Sequence, residues 1–168
     1  MFRPGNIGHH SVTGVVNPSD FQTLIIIACL RSGCAPVAPE WLFEMTPVDF
    51  LATFVARIAD EPTNLGNVYN IVQQEPVPAD QVFTHMKSNS FVTELVSITE
   101  WKARLEATAE RDDDVELRVL TKALDFVEPY LTDTSTYDNT RFREALSQLA
   151  LLPPVVDLNY VTKILKAS

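Results

Sequence analysis

Residues 2–10 are FRPGNIGHH, a stretch in which Phe and Arg are followed by proline, glycine and histidine. Proline and glycine interrupt regular structure, so the stretch predicts the end of a β-strand that runs into a loop. Very little of that strand lies within the chain, because the loop begins four residues after the start. We therefore expect more of the same sheet to lie N-terminal to Met1, and whether Met1 is the natural start stays open.

The rest of the first half predicts alternating helices and strands. One helix begins after Ser19 or Asp20, either of which can cap its amino end, and stops at Gly33. A second helix has Thr46 as its predicted cap and Pro47 at its first position, and it buries a Phe-rich face. The predicted strands lie at 41–46 and 67–72, and a short helix lies at 78–86.

The second half predicts mostly helices. A strand within 91–98 precedes a helix capped by Thr99, and further helices are predicted at 115–130, 139–149 and 157–166. The expected fold class is therefore α/β in the first half, with a mostly helical C-terminal half. We place the division at residue 90, which gives parts spanning 1–90 and 91–168.

Charge and composition exclude several classes of partner. The net charge is -9, so phosphates of nucleic acid and of anionic membranes would be repelled. The longest apolar run, residues 24–30, is far too short to span a bilayer, and the amino end lacks the pattern of a signal peptide. Cys29 and Cys34 are interpreted as reduced, buried thiols, since a secreted disulfide scaffold would carry more cysteines. We expect a soluble, cytoplasmic protein.

The adjacent histidines do not predict a metal site. His9 and His10 would point in different directions on an extended backbone, and no third ligand lies near them in the sequence. Ser11 lacks the G-x-S-x-G elbow of a hydrolase nucleophile. The sequence therefore predicts neither a bound metal nor a serine hydrolase.

Several segments together resemble the later part of thioester reductase domains. These domains are extended short-chain dehydrogenases that terminate nonribosomal peptide synthetases, carboxylic acid reductases and aminoadipate reductases. The tail is also similar to their C-terminal ends, so that the resemblance covers essentially the whole chain. The segments that carry it are residues 2–8, 13–14, 17–21, 33–36 and 46–50, with 139–140 and 153–157 in the tail.

The resemblance implies a fold and an activity. The fold would be a remnant of a Rossmann-type extended short-chain dehydrogenase that lacks its N-terminal nucleotide-binding part. Residues 1–90 would hold the end of the sheet and the substrate-side loops, and 91–168 a helical substrate-binding or lid subdomain. The complete family uses NADPH to release acyl or peptidyl thioesters from a carrier protein as aldehydes or alcohols. Which acyl group is bound, and whether two or four electrons are transferred, stays open.

The resemblance also implies site residues. Pro4, Gly5, Asn6 and Ile7 match the segment that lies beside the nicotinamide, at the carboxyl end of a sheet strand. The following loop would face the substrate, through His9, His10, Ser11 and Asn17.

The chain lacks the sequence signals of the reductase's catalytic half. It has no glycine-rich G-x-G-x-x-G turn for the pyrophosphate, and none of its four tyrosines is followed by lysine four residues later. We therefore assign no catalytic residue and expect no NADPH binding and no activity for this chain alone.

Two kinds of partner follow from these expectations. A carrier protein is implied by the resemblance, with Lys87, Lys102 and Arg104 as a local basic patch for it. Apolar faces at 24–30 and 50–54 would be uncovered without the rest of the sheet, which predicts self-association or a partner chain. The alternative function is a non-catalytic interaction or scaffold protein derived from such a reductase.

Overall fold

The computed structural model describes residues 1–60, 66–73, 75–132 and 137–167. The helices are α1 (Phe21–Ser32), α2 (Val48–Ala59), α3 (Ala79–Ser88), α4 (Ile98–Arg111), α5 (Val115–Leu131), α6 (Thr140–Gln148) and α7 (Leu158–Ala167). The strands are β1 (Phe2–Pro4), β2 (Ile7–Gly8), β3 (Cys34–Pro36), β4 (Leu42–Phe43), β5 (Thr46–Pro47), β6 (Tyr69–Ile71), β7 (Val77–Pro78) and β8 (Glu94–Val96).

The strands pair through long connections. β1 pairs with β6, β2 with β5 and β3 with β8, all in parallel, whereas β4 and β7 are antiparallel. Parallel strands require a crossover, and helices α1, α2 and α3 lie within these connections. The predicted α/β first half and helical second half are confirmed. The strand predicted at 41–46 is divided between β4 and the first residue of β5.

The two ends of α1 lie where the capping residues in the sequence predict them. The Asp20 side chain accepts a hydrogen bond from the Thr23 backbone N–H at 2.8 Å and so caps the amino end. Gly33 ends the helix in the left-handed conformation, with φ of 70°. Ile25 and Ile26 are completely buried, because α1 packs against α4, α5 and α7. The expectation that this apolar helix would be uncovered is therefore wrong.

Two helix caps differ from the sequence prediction. Thr46 pairs with Ile7 in a strand, so Pro47 and not Thr46 stands at the cap position of α2. In α4 the cap is Ser97, whose side chain accepts a hydrogen bond from the Glu100 backbone N–H, and Thr99 lies inside the helix. In both cases strand pairing determines where the extended backbone ends, which the local sequence does not report.

Two apolar clusters stabilise the chain. The larger one packs α1, α3, α4, α5 and α7 around Trp41 and Trp101, whose rings meet edge to face at 6.1 Å. The smaller one joins α2, β6 and α6 around the fully buried Phe54. Both clusters contain residues from before and after residue 90, so the division at residue 90 does not separate two independent cores.

The positions of the cysteines, of the metal-ligating side chains and of the helices bear on the predictions made from composition. Cys29 and Cys34 are buried and free, and burial raises the pKa of the Cys29 thiol. Within the described ranges, no three His, Cys, Asp or Glu side chains gather closely enough to hold a metal ion. Among the same residues, no helix combines the length and the apolar character needed to cross a lipid bilayer.

Candidate functional site

A cavity of about 640 Å³ lies where β5 and β6 end. Thr46 and Pro47 of β5 form one wall, and Val72 and Gln73, which follow β6, form another. The first turn of α2, helix α6 and residues 150–153 complete the lining. Ligands of α/β sheets bind outside the carboxyl ends of the strands, which makes this cavity the candidate site.

The cavity wall is largely apolar. Phe50 of α2 faces Phe142 of α6, with ring centroids 6.3 Å apart, and Leu146 and Leu151 extend the same surface. The polar groups in the lining are few, as is usual for a small-molecule site. An apolar wall of this kind can hold a hydrocarbon chain.

A half-buried carboxylate, that of Glu44, connects the cavity wall to the predicted cofactor segment. Its Oε1 accepts hydrogen bonds from the Thr46 hydroxyl at 3.0 Å and from the Gln73 backbone N–H at 2.9 Å. Its other oxygen accepts from the backbone N–H of Asn6. Burial raises the pKa of Glu44, and these hydrogen bonds oppose that shift. Glu44 therefore fixes two cavity-lining residues and Asn6 relative to one another.

The segment from Pro4 to Ile7 lies directly behind this wall. The Gly5 backbone N–H donates to the Ile71 carbonyl at 2.8 Å, and a Cβ at Gly5 would overlap the carboxylate of Glu44. Asn6 accepts a backbone hydrogen bond from Thr46 at 2.9 Å. Its side-chain Nδ2 is buried and has no hydrogen-bond partner among the described residues. Asn6 thus keeps a buried donor behind the cavity wall, although Asn6 itself does not line the cavity.

The loop that follows is packed against α7. His9 is buried and stacks on Tyr160, with ring centroids 3.5 Å apart. Its Nε2 lies 2.9 Å from the Tyr160 carbonyl oxygen, and the Tyr160 hydroxyl donates to the His9 carbonyl at 2.8 Å. Burial lowers the pKa of His9 to about 4. A neutral, enclosed imidazole of this kind holds the loop to α7.

The other loop residues contact α2, α7 or solvent. The Ser11 backbone N–H and hydroxyl both donate to Asp49, at 2.7 and 2.6 Å, and His10 lies 3.9 Å from the same carboxylate. Lys163 donates to the Ser11 carbonyl. Asn17 is exposed and accepts from the Ser19 backbone N–H in a turn. The lining of the cavity includes none of His9, His10, Ser11 or Asn17, and their substrate role stays a prediction.

The predicted basic patch for a carrier protein is largely neutralised. Lys102 forms ion pairs with Asp125 and Glu128, at 2.7 and 3.3 Å. Arg104 pairs with Glu94 and Glu100, at 2.6 Å each. These two side chains therefore already have acidic partners, and the role of the patch with Lys87 in carrier-protein binding stays a prediction.

Sequence reasoning missed the carboxylate behind the cavity wall and the α6 residues that line the cavity. Glu44 is a charged residue between Phe43 and Met45 in a predicted strand, and this break in the apolar pattern was an available signal. Phe142 and Leu146 gave no local signal, because they meet α2 only through the fold.

The loop's attachment to α7 gives a testable consequence at Gly14. Its φ is +73°, and a Cβ there would lie 2.7 Å from the Lys163 carbonyl oxygen. Gly33 has nearly the same φ, +70°, but open space around its Cβ position. Gly33→Ala should cost only the left-handed strain, about 1 kcal/mol. Gly14→Ala should lower the unfolding free energy by a further ~1–3 kcal/mol, because the backbone of α7 must move.

Chemical denaturation of the two alanine variants beside the wild type would measure this difference. Equal losses for Gly14→Ala and Gly33→Ala would mean that the loop does not press against α7 in solution.

A family model and fungal relatives connect this chain to NAD-binding proteins and to nonribosomal peptide synthetases. Residues 1–55 match the NAD-binding family described as Male sterility protein. The chain is 32% identical over 171 residues to the nonribosomal peptide synthetase hkm10 of Aspergillus hancockii, an alignment that covers 94% of this chain and 16% of the relative. The chain thus spans about a sixth of that relative, and 11% of another fungal synthetase, FrzA of a Cladobotryum species.

Solved structures share the fold. The terminal R domain of the myxalamid PKS-NRPS pathway superposes with a TM-score of 0.79 at 25% identity, covering 99% of this chain and 42% of that domain. The reductase (R) domain of a nonribosomal peptide synthetase from Mycobacterium tuberculosis superposes with a TM-score of 0.73 at 23% identity, covering 99% of this chain and 46% of its own length. The architecture described above is therefore one that reductase domains contain.

Proposed function

The chain belongs to the thioester reductase domains of extended short-chain dehydrogenase type, whose C-terminal portion it matches, and on that premise we propose that it forms the substrate-side part of a reductase. The reaction would be NADPH-dependent reduction of an acyl or peptidyl thioester held by a carrier protein, which releases an aldehyde or an alcohol. The observation that carries the proposal is the apolar cavity at the ends of β5 and β6, joined through Glu44 to Asn6.

In this proposal the segment from Pro4 to Ile7 forms one edge of the nicotinamide site. The Nδ2 of Asn6 is buried and has no partner among the described residues, and in the complete site it would donate to an acceptor on the cofactor or on the substrate. Gly5, which has no Cβ, lets the backbone and Glu44 approach each other closely at this edge. When bound, the nicotinamide supplies the hydride. This chain's residues bind and orient, and no catalytic residue is assigned to it.

The acyl group would occupy the cavity. Its volume of about 640 Å³ falls in the range of small-molecule pockets, roughly 300–1,000 Å³. The facing rings of Phe50 and Phe142 offer the apolar surface that an acyl chain prefers to water. The loop with His9, His10, Ser11 and Asn17 would shape the entrance for the rest of the substrate.

Calorimetric titration with S-octanoyl-pantetheine, an acyl thioester probe, tests this assignment. We expect measurable binding that Ser147→Trp weakens by roughly tenfold or more, because Ser147 lines the cavity and the indole would fill it. Gln148→Trp is the matched control, since Gln148 is exposed on the same helix and does not line the cavity. NADPH alone should show no low-micromolar affinity.

Three results would contradict the proposal. Equal binding of the probe to both tryptophan variants would place the acyl site elsewhere. Absence of binding to the wild type, with a folded protein, would favour a non-catalytic interaction protein instead. Low-micromolar NADPH affinity would overturn the expectation that this chain alone does not bind the cofactor.

A further inference from the structure

One charged side chain stands in the described lining of the cavity, that of Arg143 on α6. The other lining residues are apolar or neutral, and Phe142 and Leu146 of the same helix belong to the smaller apolar cluster. An arginine is always charged at physiological pH, so this cavity carries one fixed positive charge at its wall.

No described carboxylate neutralises Arg143, although the chain has 22 acidic residues against 13 basic ones. Elsewhere in the described chain, Arg31, Arg104 and Arg118 each pair with a carboxylate at 2.6 to 2.8 Å. No ion pair or side-chain hydrogen bond to a described residue involves the Arg143 guanidinium. Its donors are therefore available to a ligand.

Asp138, just before α6, is a carboxylate whose pKa the charge of Arg143 helps to lower. Hydrogen bonds from Thr140 are the main cause of the lowered pKa of Asp138, and the charges of Arg143 and Arg141 contribute less. The charge of Arg143 therefore acts on Asp138 through space. The hydrogen bond that the Asp138 side chain accepts comes from the backbone N–H of Thr140, at the amino end of α6. Among the described residues, the Arg143 cation therefore has no ion-pair partner beside this apolar wall.

We infer that the cavity selects an apolar chain that carries an anionic group, with the anion held by Arg143. This inference rests on the proposed acyl site and names the class of molecule that it selects. The planar guanidinium presents two parallel N–H donors that match a carboxylate or a phosphate. The hydrocarbon part lies against Phe50, Phe142 and Leu146. The net charge of -9 repels anions from the rest of the protein surface. Selection of an anionic ligand therefore depends on its contact with Arg143.

Titration calorimetry with three ten-carbon probes below their micelle concentrations tests the inference. Decanoate, decyl phosphate and the neutral decanamide share the apolar chain and differ in the headgroup. We expect at least one anionic probe to bind roughly tenfold or more tightly than decanamide. The better of the two anions tells whether the site favours a carboxylate or a phosphate.

Arg143→Gln should remove the preference for the anion and leave the affinity for decanamide unchanged. Arg141→Gln is the matched control, because Arg141 is exposed on the same helix, has the same charge and does not line the cavity. Arg143→Lys, which keeps the charge without the two-pronged geometry, should retain part of the preference. Circular dichroism of each variant checks that it is folded.

The outcomes separate this inference from the acyl site itself. If decanamide binds as tightly as both anions, or if the preference survives Arg143→Gln, the role of Arg143 is refuted and the acyl site stands. An equal loss of preference in Arg141→Gln would refute it as well, since overall charge would then explain the effect. If no probe binds the wild type, both the inference and the acyl site fall.

Discussion

Replacing Phe54 by alanine is expected to lower the free energy of unfolding by about 3–5 kcal/mol. Phe54 is completely buried on α2, and its ring packs edge to face against Phe2, Tyr69 and Phe142. Deleting the ring removes apolar contacts on three sides and leaves a cavity that helices α2 and α6 cannot easily close. Urea denaturation followed by circular dichroism measures the loss.

The control is the same substitution at Phe126, which is 80% exposed on α5. Phe126→Ala should change the unfolding free energy by less than about 0.5 kcal/mol, as surface substitutions do. A loss below about 1 kcal/mol for Phe54→Ala would show that α2 and α6 do not close over it in solution. The wall of the candidate site would then also be in doubt, since Phe142 belongs to both.

Acidification should destabilise the chain through His9. In the folded state burial lowers the pKa of His9 to about 4, whereas an unfolded histidine has a pKa of about 6.5. The unfolded chain therefore takes up a proton first as the pH falls below about 6.5, which favours unfolding. The contribution of neutral His9 to the free energy of unfolding is complete above about pH 6.5. It is lost progressively as the pH falls to about 4. Its size is up to about 3 kcal/mol.

Carboxylates also titrate in this range, so the comparison needs a variant. His9→Phe keeps a ring to stack on Tyr160 and should remove the part of the pH dependence between about pH 6.5 and 4. Lys163, Asp49 and His10 also act on the His9 charge, and these groups stay in place in the variant. His10→Phe serves as the control and should keep the wild-type dependence.

Unfolding free energies of the wild type, His9→Phe and His10→Phe, measured at several pH values, test whether His9 causes this pH dependence. If the wild type and His9→Phe show the same pH dependence, His9 is exposed enough to protonate in the folded protein.

The sequence predicted the parts of the fold that local chemistry determines. Asp20 and Gly33 bound α1 because a side-chain cap and a left-handed residue act within one turn. Thr46 failed as a cap because Ile7, 39 positions earlier, pairs with it in a strand, and the local sequence contains no record of that pairing. The same applies to α4, where the end of β8 places Ser97 at the cap.

The sequence could predict only part of the candidate site, for a similar reason. The segment from Pro4 to Ile7 could be named from its own residues and from a family resemblance. Its connection to the cavity depends on Glu44, whose hydrogen-bond partners Asn6 and Gln73 lie 38 and 29 positions away. Phe142 reaches Phe50 across 92 positions of sequence (142 − 50), and no periodicity along the chain reports such a meeting.

The burial of α1 has a consequence for how the protein is made. Ile25 belongs to the same apolar cluster as Val161 and Ile164, and α1 packs directly on α7. During synthesis, residues of α1 leave the ribosome long before those of α7, at about 5–20 residues per second. For that interval the apolar surface of α1 that α7 covers has no permanent cover. The larger apolar cluster can close only after α7 has emerged, so α1 exposes apolar surface that a chaperone could cover until then.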